Sequence, residues 1–402
     1  MDTSDRAARA ERATHLARGA ADWLVDSVTD CEDPSLYAGL AGMVLGLQEA
    51  AQHFGDDRYQ RAVADGVDAL VTAIDSIEDS SLYFGLAGVA AALHALGRPD
   101  AADQALDRVR DQLQVQRRSP MFELFAGNAG IGLGALCAGD VDLAVSAVTP
   151  YLTSADRTTA GVNWQVRPTP ARSHHIAHGT LGIVYALAAV GQTADRKDLI
   201  ELSLAGAADV VGRNEAGPDC FLVPHSDPPH RPDLIERYSF GWCNGPVGDA
   251  QVFRLLAQVT GDSPWIQLGD RCWHTVTESG LPRRIRPGFW DNNGRCCGTA
   301  GVLALACDRM VERGDDFDFA DVLVNDLATQ ATVDEAGVRW SNHEHRAVLP
   351  ALEPRPGWAM GNAGIVRELL RYARLSEGGS GDYAIAWPDH PSTGDEQLAR
   401  RF

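Results

Sequence analysis

Gly85-Leu86-Ala87-Gly88-Val89-Ala90-Ala91-Ala92-Leu93-His94-Ala95-Leu96 is a pair of glycines three apart, running into a helix-length stretch that is apolar on nearly every side. The phrase recurs. Equivalent pairs stand at Gly39/Gly42, Gly127/Gly130, Gly179/Gly182, Gly245/Gly248, Gly298/Gly301 and Gly361/Gly364, spaced 42 to 66 residues apart. Most lead into runs of Ala, Leu, Val and Ile, as in Ala41–Gln52, Gly182–Val190 and Gly364–Leu375. A helix apolar all round must be buried all round.

Ahead of most copies lies a second helix with a charged face. Asp5–Val28 places Leu16, Ala20, Trp23, Leu24 and Val28 at helical spacing. Asp57–Ile77, Ala101–Leu113, Asp195–Gly212, Pro264–Glu278 and Phe317–Gln330 are others. A repeat of this period marks a repeat architecture. The unit is a polar-faced helix, a loop, a glycine pair and a buried helix. It predicts an all-α fold: an α/α toroid, a double-layered barrel of seven helix pairs with the Gly-x-x-Gly helices inside, forming a single domain over residues 1–402. The glycines are expected to let backbones approach closely and to take unusual dihedrals. An open solenoid shows the same period, but the irregular spacing suits a closed ring with long loops at one end.

The hydrophobic fraction of 45% is ample for a large core. No apolar run reaches the roughly 18 residues of a membrane span. The first residues mix both charges and lack a signal peptide's apolar stretch, which predicts a cytoplasmic protein. A net charge of -20 argues against nucleic acid as a partner. Long connections at Ser154–Ile176, Asn214–Gly241, Leu281–Arg295 and Ala331–Gly357 are where a scaffold carries its sites; Phe221–Pro224 and Val338–Trp340 are expected to form short strands within them.

Eight cysteines in a long chain of this kind favour metal binding or catalysis over a disulfide framework. Three glycine phrases are preceded by reactive side chains: Trp242-Cys243-Asn244-Gly245, Cys296-Cys297-Gly298 and Ala177-His178-Gly179. Being equivalent points of the repeat, they are expected at one height. Three thiolates can hold zinc tetrahedrally and leave a fourth position open, and a helix N-terminus favours the ionised sulfur. Taken alone, Cys296-Cys297 could instead be a vicinal disulfide. His174 and His175 are expected to be loop residues. His343-Glu344-His345 has strand spacing and no third metal partner, so substrate contact suits it better. Arg283, Arg284 and Arg286 form a basic run that could hold an acidic peptide or simply be solvated.

From Ser35 to about Leu375 these motifs resemble the lanthionine synthetase C-like family. The resemblance implies a toroid of seven helix pairs and one Zn2+, held by Cys243, Cys296 and Cys297, with cysteine at 297 where most members have histidine. His178 matches a family histidine thought to act in acid/base chemistry. Glu123 stands where an aspartate is common, and Asn244 replaces the usual aromatic. The implied activity is a cyclase: a peptide cysteine adds to a dehydroalanine or dehydrobutyrine of a dehydrated precursor peptide, giving a thioether ring, with a dehydratase supplying the substrate. Alternatives are addition of glutathione or another small thiol, or a non-catalytic peptide-binding scaffold. A terpene cyclase or prenyltransferase would need a diphosphate site, for which Asp315-Asp316-Phe317-Asp318 is the available acidic cluster.

Overall fold

The computed structural model describes residues 3–116, 118–119, 121–283, 292–343, 351–387 and 390. The chain is all-α. Helix α1 (Thr3–Val28) is followed by the pairs α2 (Leu40–Phe54) and α3 (Asp57–Ala73), α4 (Leu86–Ala95) and α5 (Pro99–Val115), and α6 (Asn128–Cys137) and α7 (Val141–Val148). After the single turn α8 (Tyr151–Ser154) come α9 (Thr180–Thr193) and α10 (Lys197–Val211), α11 (Pro246–Thr260) and α12 (Ser263–Glu278), α13 (Thr299–Arg313) and α14 (Asp318–Gln330), and finally α15 (Asn362–Ser376). Among the described residues no helix is long and apolar enough to cross a membrane.

Each of the seven glycine phrases heads a helix: α2, α4, α6, α9, α11, α13 and α15 begin at the residue after the first glycine of the pair. Their side chains are buried along almost their whole length. The glycines are there for space, not for dihedral angle. Gly179 has φ -141 and Gly245 φ -171, extended values open to any residue. A Cβ on Gly182 would lie 2.0 Å from the carbonyl oxygen of Ile176, and one on Gly248 1.9 Å from that of Trp242. The expectation of unusual dihedrals at these positions is thus corrected.

The chain forms two compact units, residues 1–73 with 280–386, and residues 74–279 with 387–402. In the second, α4, α6, α9 and α11 pack side by side in chain order, and α5, α10 and α12 lie against α4, α9 and α11. In the first, α13 packs on α15 and α15 on α2, so the last glycine-headed helix meets the first. An open solenoid would keep those two apart. The amphipathic partner of each inner helix is the one that follows it, and α15 takes α1 from the start of the chain.

The last inner helix departs from the apolar expectation. Arg367, Glu368 and Arg371 of α15 are buried, which is tolerable because each is paired. Arg371 meets Asp308 at 2.8 Å, Arg295 meets Glu368 at 3.1 Å, and Arg367 donates to the carbonyl of Ile385.

The strands are short antiparallel pairs in the long connections: β1 (Asp156–Arg157) with β2 (Val162–Asn163), β3 (Arg172–Ser173) with β4 (Ser226–Asp227), β5 (Thr332–Asp334) with β6 (Gly337–Arg339), and β7 (Asn342–His343) with β8 (Ala351–Leu352). The strand expected around Val338 is β6. The one expected at Phe221–Pro224 does not form, because the side-chain oxygen of Thr275 on α12 takes both backbone groups of Phe221. The partner of β3 lies two residues further on.

Candidate functional site

The head loops share one hydrogen-bond pattern. Counting back from the first glycine, the residue at position -2 bonds through its backbone to the -2 residue of a neighbouring loop. In the second unit Tyr83 N–H donates to Phe125 C=O at 3.3 Å, and Ala177 N–H to Cys243 C=O at 3.1 Å. In the first unit Cys296 N–H donates to Ala359 C=O at 2.8 Å, and Ala359 N–H to Tyr37 C=O at 3.0 Å. These bonds hold equivalent positions level within each unit.

Exposure then separates the registers. Six of the seven residues at -2 are buried, Tyr37 being the exception; six of the seven at -1 reach solvent, Cys297 being the exception. Position -1 carries Ala38, Phe84, Ala126, His178, Asn244, Cys297 and Met360. His178 and Cys297 are therefore equivalent by register, as are Cys243 and Cys296.

Cys243, in the second unit, and Cys296 and Cys297, in the first, are all buried. Cys296 and Cys297 form no vicinal disulfide; the Cys297 thiol donates to the Cys296 sulfur at 3.3 Å. Asn244 Nδ2 donates to Cys243 Sγ at 3.4 Å. Each cysteine stands two or three residues ahead of a helix of 15 residues, where the helix dipole and free N–H groups stabilise negative charge. The donor set fits a single soft divalent ion with an open fourth position.

His178 has 26% of its side chain exposed, and its Nδ1 lies 3.7 Å from Glu123 Oε2. Phe125 packs on the imidazole with ring centroids 4.9 Å apart. The Glu123 carboxylate is fully buried and accepts the backbone N–H groups of Phe125 and Ala126. Its own head loop thus fixes the acid that faces His178.

His174 and His175 lie in the loop ahead of α9, as expected, and both are buried. His175 Nδ1 is 2.8 Å from an Asp249 carboxylate oxygen in the first turn of α11. Burial raises the Asp249 carboxyl above its usual range, although His175 works against that. The His174 imidazole is pushed down to about 3, chiefly by burial and then by His175 beside it. The signal missed in the sequence was Asp249, an acid in the first turn of an otherwise buried helix.

Arg284, Arg286, Glu344 and His345 lie outside the described residues, as does the side chain of His343; Arg283 is exposed. The acidic cluster has structural partners: Asp315 pairs with Arg309 at 2.9 Å, and Asp316 accepts the Asp318 N–H at 3.0 Å at the start of α14.

The family model described as lanthionine synthetase C-like protein matches residues 30–211 and 230–324. Among solved structures, nisin cyclase superposes with a TM-score of 0.67 at 16% identity, over 93% of this chain and 95% of that one. The fold is therefore the α/α toroid. An unsaturated glucuronyl hydrolase specific for heparin gives a TM-score of 0.48 at 10% identity, over 92% of this chain and 98% of that one. No curated protein sequence matches the chain.

Proposed function

We propose that this chain, which belongs to the lanthionine synthetase C-like family, is a zinc-dependent cyclase that closes thioether rings in a dehydrated precursor peptide. The observation that carries the reading is that three thiols at the head-loop register are buried. Cys243, Cys296 and Cys297 would hold the ion. Bound there, zinc would supply the positive charge that keeps a substrate thiol ionised at neutral pH.

His178 then serves as the acid. As the peptide's sulfur bonds to the β-carbon of a dehydroalanine or dehydrobutyrine, the α-carbon takes up a proton, and His178 delivers it. Its partial exposure suits a group that must reach substrate, and general acid–base catalysis of this kind contributes about 10²–10⁴-fold. Glu123 faces the ring from a fixed, buried position and orients it. The chain works on peptide prepared by a dehydratase, as a single domain in the cytoplasm.

The test is metal content, followed by ring closure. Protein purified anaerobically without chelator is expected to hold about one zinc per chain. Cys243→Ala and Cys297→Ala are each expected to lose it and to stop consuming the free thiol of a dehydrated peptide. Freshly reduced protein without zinc would overturn the reading.

A further inference from the structure

Phe84 has 40% of its surface exposed, and among the described residues it is the aromatic member of the exposed large hydrophobic side chains. Single exposed apolar residues are ordinary, so exposure alone carries nothing. Register and neighbours do. Phe84 occupies position -1 of its head loop, the position that His178 occupies in another. Its ring lies 5.6 Å from that of Phe125, and Phe125 lies 4.9 Å from His178. Beneath them Tyr83 stacks on Phe125 at 4.2 Å and Trp242 lies 6.0 Å from Tyr83, both fully buried. The Phe84 N–H is also fixed, donating to Ser81 Oγ at 3.3 Å. The result is a continuous run of ring contacts from the proposed acid to a solvent-facing ring, with Phe125 buried between them as a rigid link.

We infer that Phe84 is a specificity-determining residue, which seats a large apolar side chain of the peptide close to its dehydro residue. This rests on the cyclase reading. The two ring-to-ring steps of 5.6 and 4.9 Å form a path that an extended peptide covers in about three residues. The seat therefore reads the sequence immediately beside the reacting carbon. A ring stacks on Phe84 edge-to-face or offset, an aliphatic side chain covers it, and a carboxylate gains nothing from its face and stays hydrated.

The test uses the full chain with zinc and three synthetic peptides. Each carries one cysteine and one dehydroalanine, with Phe, Leu or Asp within three residues of the dehydroalanine. The Phe peptide is expected to exceed the Asp peptide about tenfold in kcat/KM, with the difference in KM. In Phe84→Ala that ratio is expected to fall to near one, and Phe84→Leu should restore the preference for the Leu peptide. Equal rates for the Phe and Asp peptides in the parent protein, or a ratio that survives Phe84→Ala, would overturn the assignment and leave the cyclase reading standing. If no peptide is closed, the cyclase reading fails. Fluorescence anisotropy then decides the seat alone: a tenfold preference in Kd that Phe84→Ala abolishes supports it, and equal affinities overturn it.

Discussion

His174 makes a pH prediction that needs no substrate. Its imidazole is held at about 3 by burial, against an ordinary value of about 6.5. The unfolded chain therefore takes up a proton that the folded chain refuses. The stability this represents is complete above pH 6.5 and is lost as pH falls towards 3, at about 1.4 kcal/mol per pH unit. Denaturant unfolding at pH 6.5 and 5 should show a loss of about 2 kcal/mol from this group, and His174→Leu should flatten the slope by about one proton. At the proposed acid, His178→Ala should lower ring closure by about 10²–10⁴-fold while zinc stays at one per chain; loss of the metal would instead make His178 a ligand. The thiols and His178 were legible in sequence because a repeat gives each loop residue a register. His174 and His175 were not, because their burial depends on Asp249, which is 74 residues beyond His175 and brought to it only by the packing of α11 beside α9.

At the scale of the helix, two glycine substitutions should have opposite signs. Gly248 heads α11, where an added Cβ would meet the Trp242 carbonyl oxygen at 1.9 Å and Ile176 Cγ2 at 2.4 Å. Gly248→Ala should cost on the order of 3 kcal/mol. Gly269 lies inside α12 with nothing within 4 Å of a Cβ, so Gly269→Ala should gain about 1 kcal/mol from helix propensity and a less flexible unfolded chain. Shifts in the urea midpoint distinguish the two. The inner helices could be read from the glycine phrase because two periodic signals, burial and close approach, coincide there. Which amphipathic helix each one pairs with could not, since α15 draws its partner from the far end of the chain.

Across the whole molecule, a net charge of -20 sits on the same chain as fully buried cations. Arg371 holds Asp308 and donates to the Gly381 carbonyl at 2.6 Å, tying the segment after α15 back into its unit. Arg371→Met removes the ion pair from buried Asp308 and the bond to Gly381, and should cost about 3–5 kcal/mol, read as a lowered melting temperature. Nothing in the periodicity of α15 announces this network, because its arginines fall on faces that the apolar pattern assigns to the core. The head loops divide labour differently. The glycines and the -2 residues carry most of the packing, whereas six of the seven -1 residues are at least partly exposed. Of the three departures that the resemblance implies, Asn244 and Cys297 fall at -1 and Glu123 does not. A lineage could therefore exchange what it displays there, one repeat at a time, and inherit the architecture unaltered: folding and chemistry are open to selection separately, and new specificities can arise without passing through an unstable ancestor.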